Sequence, residues 1–212
     1  MNNITIFGAS GGIGLHAVKH ALNNNYNVTA YLRNPKKLTI EHENLMIVKG
    51  ELNDYDAMKK ALDGADAVIW CVGIPMKRSY PHKFSLEGHE ILLRIMEENN
   101  IKRLIDWSTT AVTFKKDKKS IKTTIPPLLA GLFMTQAKQE LNEIADLIKK
   151  SNLEWTIVRF LAPTNGKFKG NAKVSFGDNR LNFNISRSDI AYFMVKQLND
   201  KTYIKSMPLI GS

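Results

Sequence analysis

The sequence predicts an α/β fold: an open, doubly wound, mostly parallel sheet with helices on both faces. Apolar runs of four to six residues, rich in β-branched side chains, recur along the chain, as expected of strands covered on both sides. Segments of helical periodicity lie between them, so right-handed crossovers link parallel strands. A glycine-rich turn, G-A-S-G-G-I-G at residues 8 to 14, joins the first strand to the first helix.

Strands are expected near residues 3 to 7 (I-T-I-F), 27 to 32, 45 to 49, 67 to 71 (A-V-I-W-C), 102 to 107 and 154 to 159, with a weaker one at Met207 to Ile210. Ile13, Ala17, Val18, Ala21 and Leu22 share one helical face, and Met134, Ala137, Leu141, Ile144, Ala145 and Ile148 share another. Further helices are expected from about Tyr55 to Leu62, Phe84 to Glu98 and Ser188 to Leu198. Residues 111 to 132 break the rhythm, carrying a lysine run and then I-P-P-L-L-A-G-L-F, too long for an ordinary connection. They suggest a flap over the carboxyl ends of the strands or a surface insertion. Residues 162 to 184, with Pro163, Gly166, Gly170 and Gly177, form the second irregular stretch, and the two are expected on the substrate side.

Composition narrows the class. At 212 residues, against roughly 150 for a typical domain, one domain over residues 1 to 212 is expected. With 43% hydrophobic and 24% charged residues the chain can bury a core. Mean hydropathy is −0.24 and no apolar run is long enough to span a bilayer, so no membrane segment is expected. Cys71 stands alone and no basic leader precedes the first strand, which suits a cytoplasmic protein, monomeric or homodimeric. The net charge of +10 suits an anionic partner. Its densest patch, Lys115, Lys116, Lys118, Lys119 and Lys122, carries only Phe114 as an aromatic, so a solvated loop is expected and nucleic acid is not. The five histidines form no ligand constellation, and no metal is expected.

The glycine turn is built for a pyrophosphate. Gly8 permits the tight bend, Gly11 lets backbone approach the anion, and Gly14 allows close packing of helix on strand. Gly12, Ile13 and the helix start present N–H groups, and Ser10 adds a hydroxyl. About 20 residues beyond such a turn, sites for NAD place a carboxylate that would repel a 2′-phosphate. This chain has Arg33 there, with Lys36 and Lys37 nearby, so NADP is the expected cofactor, NADPH preferred over NADH.

The spacing G-x-x-G-x-x-G resembles the short-chain dehydrogenase/reductase superfamily, and specifically its atypical NmrA-like branch with the flavin and biliverdin reductases. The match continues through Y-L-R-N at 31 to 34, V-K-G-E-L-N-D at 48 to 54, D-A-V-I-W-C-V-G at 66 to 73, L-I-D-W-S-T-T at 104 to 110, S-N-L-E-W-T-I-V-R at 151 to 159 and I-S-R-S-D-I-A at 185 to 191. The resemblance implies a Rossmann-type NAD(P)-binding domain, with Glu51 and Leu52 flanking the adenine and Cys71, Val72 and Gly73 running along the cofactor. Glu51 departs from the family's usual Asp.

Ordinary short-chain reductases carry Y-x-x-x-K, in which the lysine lowers the phenol's pKa and the phenol protonates the substrate carbonyl. Here Lys138 is kept and Met134 replaces the tyrosine. Hydride transfer to a flavin, quinone or extended tetrapyrrole leaves charge delocalised over a large ring and does without that relay. Ser108, with Thr109 behind it, is the candidate partner for substrate or nicotinamide. Arg187 and Asp189 are expected to tie the last helix to the domain. Two readings stand: an NADPH-dependent reductase of a planar acceptor such as a flavin or quinone, and a non-enzymatic NAD(P)-binding redox sensor of the NmrA-like type. A third, an epimerase or dehydratase, would need a displaced tyrosine such as Tyr80.

Overall fold

A computed structural model describes residues 1–118, 134–178 and 181–212. The strands are β1 (Asn3–Phe7), β2 (Asn27–Leu32), β3 (Leu45–Lys49), β4 (Ala67–Trp70), β5 (Arg103–Thr109), β6 (Glu154–Phe160), β7 (Ala162–Thr164), β8 (Lys173–Ser175), β9 (Asn184–Ser186) and β10 (Leu209–Gly211). The helices are α1 (Gly14–Asn23), α2 (Tyr55–Leu62), α3 (Phe84–Glu98), α4 (Thr135–Lys150) and α5 (Arg187–Lys196). An eight-stranded sheet runs in the order β3-β2-β1-β4-β5-β6-β10-β8, parallel except where β8 lies antiparallel on β10.

The fully apolar runs lie at the centre, where both faces are covered. Every residue of β4 is buried, and so are the last four of β1. On one face Ala17, Val18 and Ala21 of α1 pack with Ile190 and Met194 of α5. On the other, Met58 of α2, Leu92 and Ile95 of α3, and Ile144 and Ile148 of α4 make a second core. Chain order turns outward in opposite directions from β1 and β4, which leaves a crevice at their carboxyl ends, where doubly wound sheets bind ligands.

The irregular region expected over 162 to 184 contains three short strands. β7 pairs in parallel with β9, and β8 closes the main sheet through β10. Three residues are too few to show a period of two, and Pro163 inside β7 argues against a strand when read alone. The stretch beginning at residue 111 is packed where it is described: Ala111, Val112 and Phe114 are buried. Arg159 reaches Asp117 through two bonds of 2.5 and 2.7 Å and the Val112 carbonyl at 3.0 Å. Residues 119 to 132 of the expected flap, with Lys119 and Lys122, lie outside the described residues.

Candidate dinucleotide and acceptor site

Two clefts open at this crevice and share Gly11, Cys71, Gly73 and Ile74. One, of about 770 Å³, extends over the ends of β2 and β3. The other, of about 860 Å³, extends over the ends of β5 and β6 towards α4.

The glycine turn lies between them. Gly8 has φ of +72°, and a Cβ there would come within 2.7 Å of the Cys71 backbone. Gly14 sits under the turn, where a Cβ would collide with the Gly8 carbonyl oxygen. The Gly11 N–H closes the bend on Gly8 O at 2.9 Å. α1 then begins with no side-chain cap and no acidic residue in its first turn, so neither offsets its positive end. α2, α3 and α5 begin with a side-chain acceptor or an acid in the first turn, whereas α4, starting after Met134, shares with α1 the lack of both.

Gly8, Ser10, Arg33, Glu51, Leu52 and Val72 all line the smaller cleft, and Lys37 joins them. Asn34 accepts from the Lys36 N–H at 3.1 Å, starting the short 3-10 turn that brings Lys37 round. The Tyr31 hydroxyl donates to the Glu51 carbonyl at 2.7 Å, fixing the backbone of that corner. His82 and Phe84 also line this cleft, their rings 5.3 Å apart, with Phe84 55% exposed. No motif in the sequence singled them out.

Gly12, Ile13, Met134 and Lys138 line the larger cleft. The Lys138 N–H donates to the Met134 carbonyl at 2.9 Å, so the two residues are one helical turn apart at the start of α4. Trp107 and Phe160 stack with ring centroids 5.7 Å apart, and Trp107 Nε1 donates to the Val72 carbonyl at 2.9 Å. Thr109 and Thr110 line the cleft with them, and the Thr110 hydroxyl is buried with no hydrogen-bond partner among the described residues.

Ser108 is placed differently from expectation. Alternation along β5 turns it away from the face of Trp107 and Thr109, so it lines neither cleft and its hydroxyl is buried without a partner among the described residues. Thr109, expected behind it, lines the larger cleft instead. Arg187 is also more than a tie for the last helix, because it lines the larger cleft at Gly12. Asp189 does hold α5 and its surroundings, accepting from the Ser186 hydroxyl at 2.6 Å and from the N–H groups of Lys169 and Gly170.

Tyr80 lies outside both clefts and donates its hydroxyl to the buried Glu140. Burial and that carboxylate push its phenol up, and its hydroxyl is committed to Glu140 and presented to neither cleft. Cys71 is buried, and burial, with Asp106 nearby, pushes its thiol up as well, away from nucleophilic chemistry. Asp106 accepts from the Trp107 N–H at 2.7 Å and pairs with His89 at 3.1 Å inside the α3 side of the sheet. Among the described residues no three His, Cys, Asp or Glu side chains gather as for a metal, and no helix is long and apolar enough to cross a membrane.

A dinucleotide fits this arrangement: the turn is a cradle that any Cβ would fill, and the adjoining cleft carries the cationic Arg33 and Lys37. A model of an NAD(P)H-binding family matches residues 8–201. The chain belongs to that NAD(P)H-binding family. Membership and the doubly wound parallel sheet together make it an NAD(P)H-binding protein of Rossmann-type fold. It is similar to cinnamoyl-CoA reductase 1 of Arabidopsis thaliana, 27% identical over 123 residues that make up 52% of this chain and 35% of that enzyme. The chain thus spans about a third of the length of that relative. The Bacillus subtilis protein YwnB is 23% identical over 160 residues, 76% of this chain and 70% of YwnB. Among solved structures, ChuY, an anaerobillin reductase from Escherichia coli O157:H7, superposes with a TM-score of 0.78 at 19% identity, covering 99% of this chain and 97% of that one. A short-chain dehydrogenase/reductase from Veillonella parvula in complex with NADP gives 0.75 at 18% identity, covering 100% and 94%. At these identities the structural likeness shows the fold.

Proposed function

We propose that this NAD(P)H-binding protein is an NADPH-dependent reductase that passes hydride to a planar acceptor such as a flavin or quinone, without a catalytic tyrosine. The observation that carries this is Met134 at the cleft, one turn before Lys138, where a carbonyl reductase needs its phenol. When bound, the nicotinamide supplies the hydride.

The protein's part is to hold two flat ring systems against one another. Gly8, Ser10, Gly11, Gly12 and Ile13 present the turn to the diphosphate, and Arg33 and Lys37 face the 2′-phosphate that distinguishes NADPH. Glu51 and Leu52 flank the adenine, while Cys71, Val72 and Gly73 run beside the coenzyme at the end of β4. Lys138 holds the nicotinamide ribose. Trp107, Phe160 and Met134 offer flat or apolar surface to the acceptor and exclude water from it. Thr109 and Thr110 take the role expected of Ser108, hydrogen bonding to the acceptor's oxygen or nitrogen. Delocalisation over the acceptor ring lets solvent complete the proton transfer.

The likeness of fold to an anaerobillin reductase supports a planar acceptor, extending the class to open tetrapyrroles. The missing tyrosine also suits a redox sensor that binds coenzyme without turnover. Mixing the protein and NADPH with a panel of flavins, quinones and open tetrapyrroles, and following coenzyme absorbance, separates the two. The reductase reading predicts oxidation of NADPH by at least one acceptor. Tight NADPH binding with no oxidation across the panel would favour the sensor.

A further inference from the structure

Gly12 is a glycine for a reason its backbone does not supply. Its φ is not in the left-handed region, unlike that of Gly8, so the turn itself would accept a side chain there. The space is taken by Arg187: a Cβ on Gly12 would lie 2.9 Å from both Cδ and Nε of that side chain. The arginine side chain therefore lies against the glycine turn at Gly12.

Its frame is fixed. Arg187 is the first residue of α5, whose start is capped by the Ser186 hydroxyl accepting from the Asp189 N–H at 2.9 Å. Asp189 in turn grips the N–H groups of Lys169 and Gly170 at 3.0 and 2.7 Å. On the same loop Asn165 accepts from Arg187 Nη1 through Oδ1 at 2.6 Å, steering the guanidinium. Among the described residues no carboxylate forms an ion pair with it, and the larger cleft is lined by two cations, Lys138 and Arg187, and by no acid. A guanidinium held by a neutral amide beside an uncapped helix start is placed to pair with an anionic ligand. The neighbouring His16 responds to the same positive surroundings: burial first, then Lys19 and Arg187, lower its pKa.

We propose that Arg187 is a second anion ligand for the dinucleotide, closing on its diphosphate from the α5 side while the N–H groups of the glycine turn hold the same group from the α1 side, with Asn165 as the positioning residue. This rests on the dinucleotide reading above and adds a ligand to it. The diphosphate is the group concerned, because the side chain covers Gly12 rather than the 2′-phosphate corner at Arg33, which lies in the other cleft.

Calorimetric titration with ADP-ribose, which has the diphosphate and no nicotinamide, and with adenosine 2′-phosphate, which has no diphosphate, tests it. Arg187→Gln should weaken ADP-ribose and NADPH roughly tenfold or more, as loss of a charge-assisted bond does, and flatten the salt dependence of their binding. Adenosine 2′-phosphate should bind the variant as it binds the native protein. Asn165→Ala should weaken ADP-ribose less, and should add nothing in an Arg187→Gln background. Unchanged ADP-ribose affinity in Arg187→Gln overturns the proposal, as does a loss confined to the acceptor's KM. If the native protein binds neither ADP-ribose nor NADPH, the dinucleotide reading itself falls. Should Arg187→Gln fail to fold, Asn165→Ala alone decides, and unchanged ADP-ribose affinity there overturns the positioning role and the ligand it positions.

Discussion

The carbonyl oxygen of Gly8 occupies the space that a Cβ on Gly14 would need. The strand-to-helix turn therefore closes on itself, and the start of α1 is held against the end of β1. Helix propensity alone would favour alanine at Gly14 by about 1 kcal/mol. The collision reverses that sign: Gly14→Ala should lower stability by about 1–3 kcal/mol, as overpacking does, and should weaken NADPH markedly because the turn's N–H groups move. Denaturant unfolding and coenzyme titration of one preparation check both parts, and a stabilised variant would contradict the collision.

In the proposed function Arg33 sets the choice between coenzymes. Arg33→Ala should cost NADPH roughly tenfold or more in affinity and leave NADH within about twofold, since only NADPH carries the phosphate. Equal losses for both would mean that Arg33 has no part in the preference.

The central layers of the fold were readable because β1, β4 and the covering helices carry strong periods. Thus Ala17, Val18 and Ala21, read as one helical face, pack in one core, and Ile144 and Ile148 pack in the other. The strands β7, β8 and β9 were not readable, since each is three residues long and is fixed by pairing with distant chain. The glycine turn, Arg33 and Lys138, which lie at the clefts, could be singled out because local spacing carries the chemistry proposed for them. Arg187 belonged to a noticed motif, I-S-R-S-D-I-A, but its place over Gly12 depends on where α5 packs, which no local pattern contains. Ser108 and Thr109 differ by one position, and choosing between them required knowing which face of β5 meets the cleft.

That choice is measurable. Ser108→Ala should leave coenzyme and acceptor kinetics unchanged and should be neutral to slightly stabilising, because it removes a buried hydroxyl that has no partner among the described residues. Thr109→Val should lower turnover with the best acceptor without changing NADPH affinity. The reverse outcome would restore Ser108 to the site.

Arg159 and Asp117 fasten the segment after β5 to the end of β6, with side chains 4% and 12% exposed. Arg159→Met should cost about 3 kcal/mol, the usual penalty for leaving a buried charge without its partner. Adding Asp117→Asn should recover part of the loss, and additive losses from the two changes would contradict direct coupling.

His16 and His20 are both held below the ordinary imidazole range. Burial is the first cause for each, followed by Lys19 and Arg187 for His16. For His20 the hydrogen bond with Ser188 works the other way, and His16 adds to the lowering. The folded chain thus binds fewer protons at these rings than the unfolded chain. Their contribution to stability is present above the ordinary value of about 6.5 and is lost as pH falls below it. The denaturation midpoint should fall between about pH 7 and pH 5, and His20→Gln should flatten that slope. An unchanged slope in the variant would exclude His20 as a cause.

Calorimetric titration of the folded protein with NADPH is the most direct test of the central claim, that the glycine turn of residues 8 to 14 holds a dinucleotide. The account predicts saturable binding at one site, tighter for NADPH than for NADH and much weakened in Gly14→Ala. Absence of binding heat with either coenzyme at millimolar concentration, in protein shown to be folded, would contradict it.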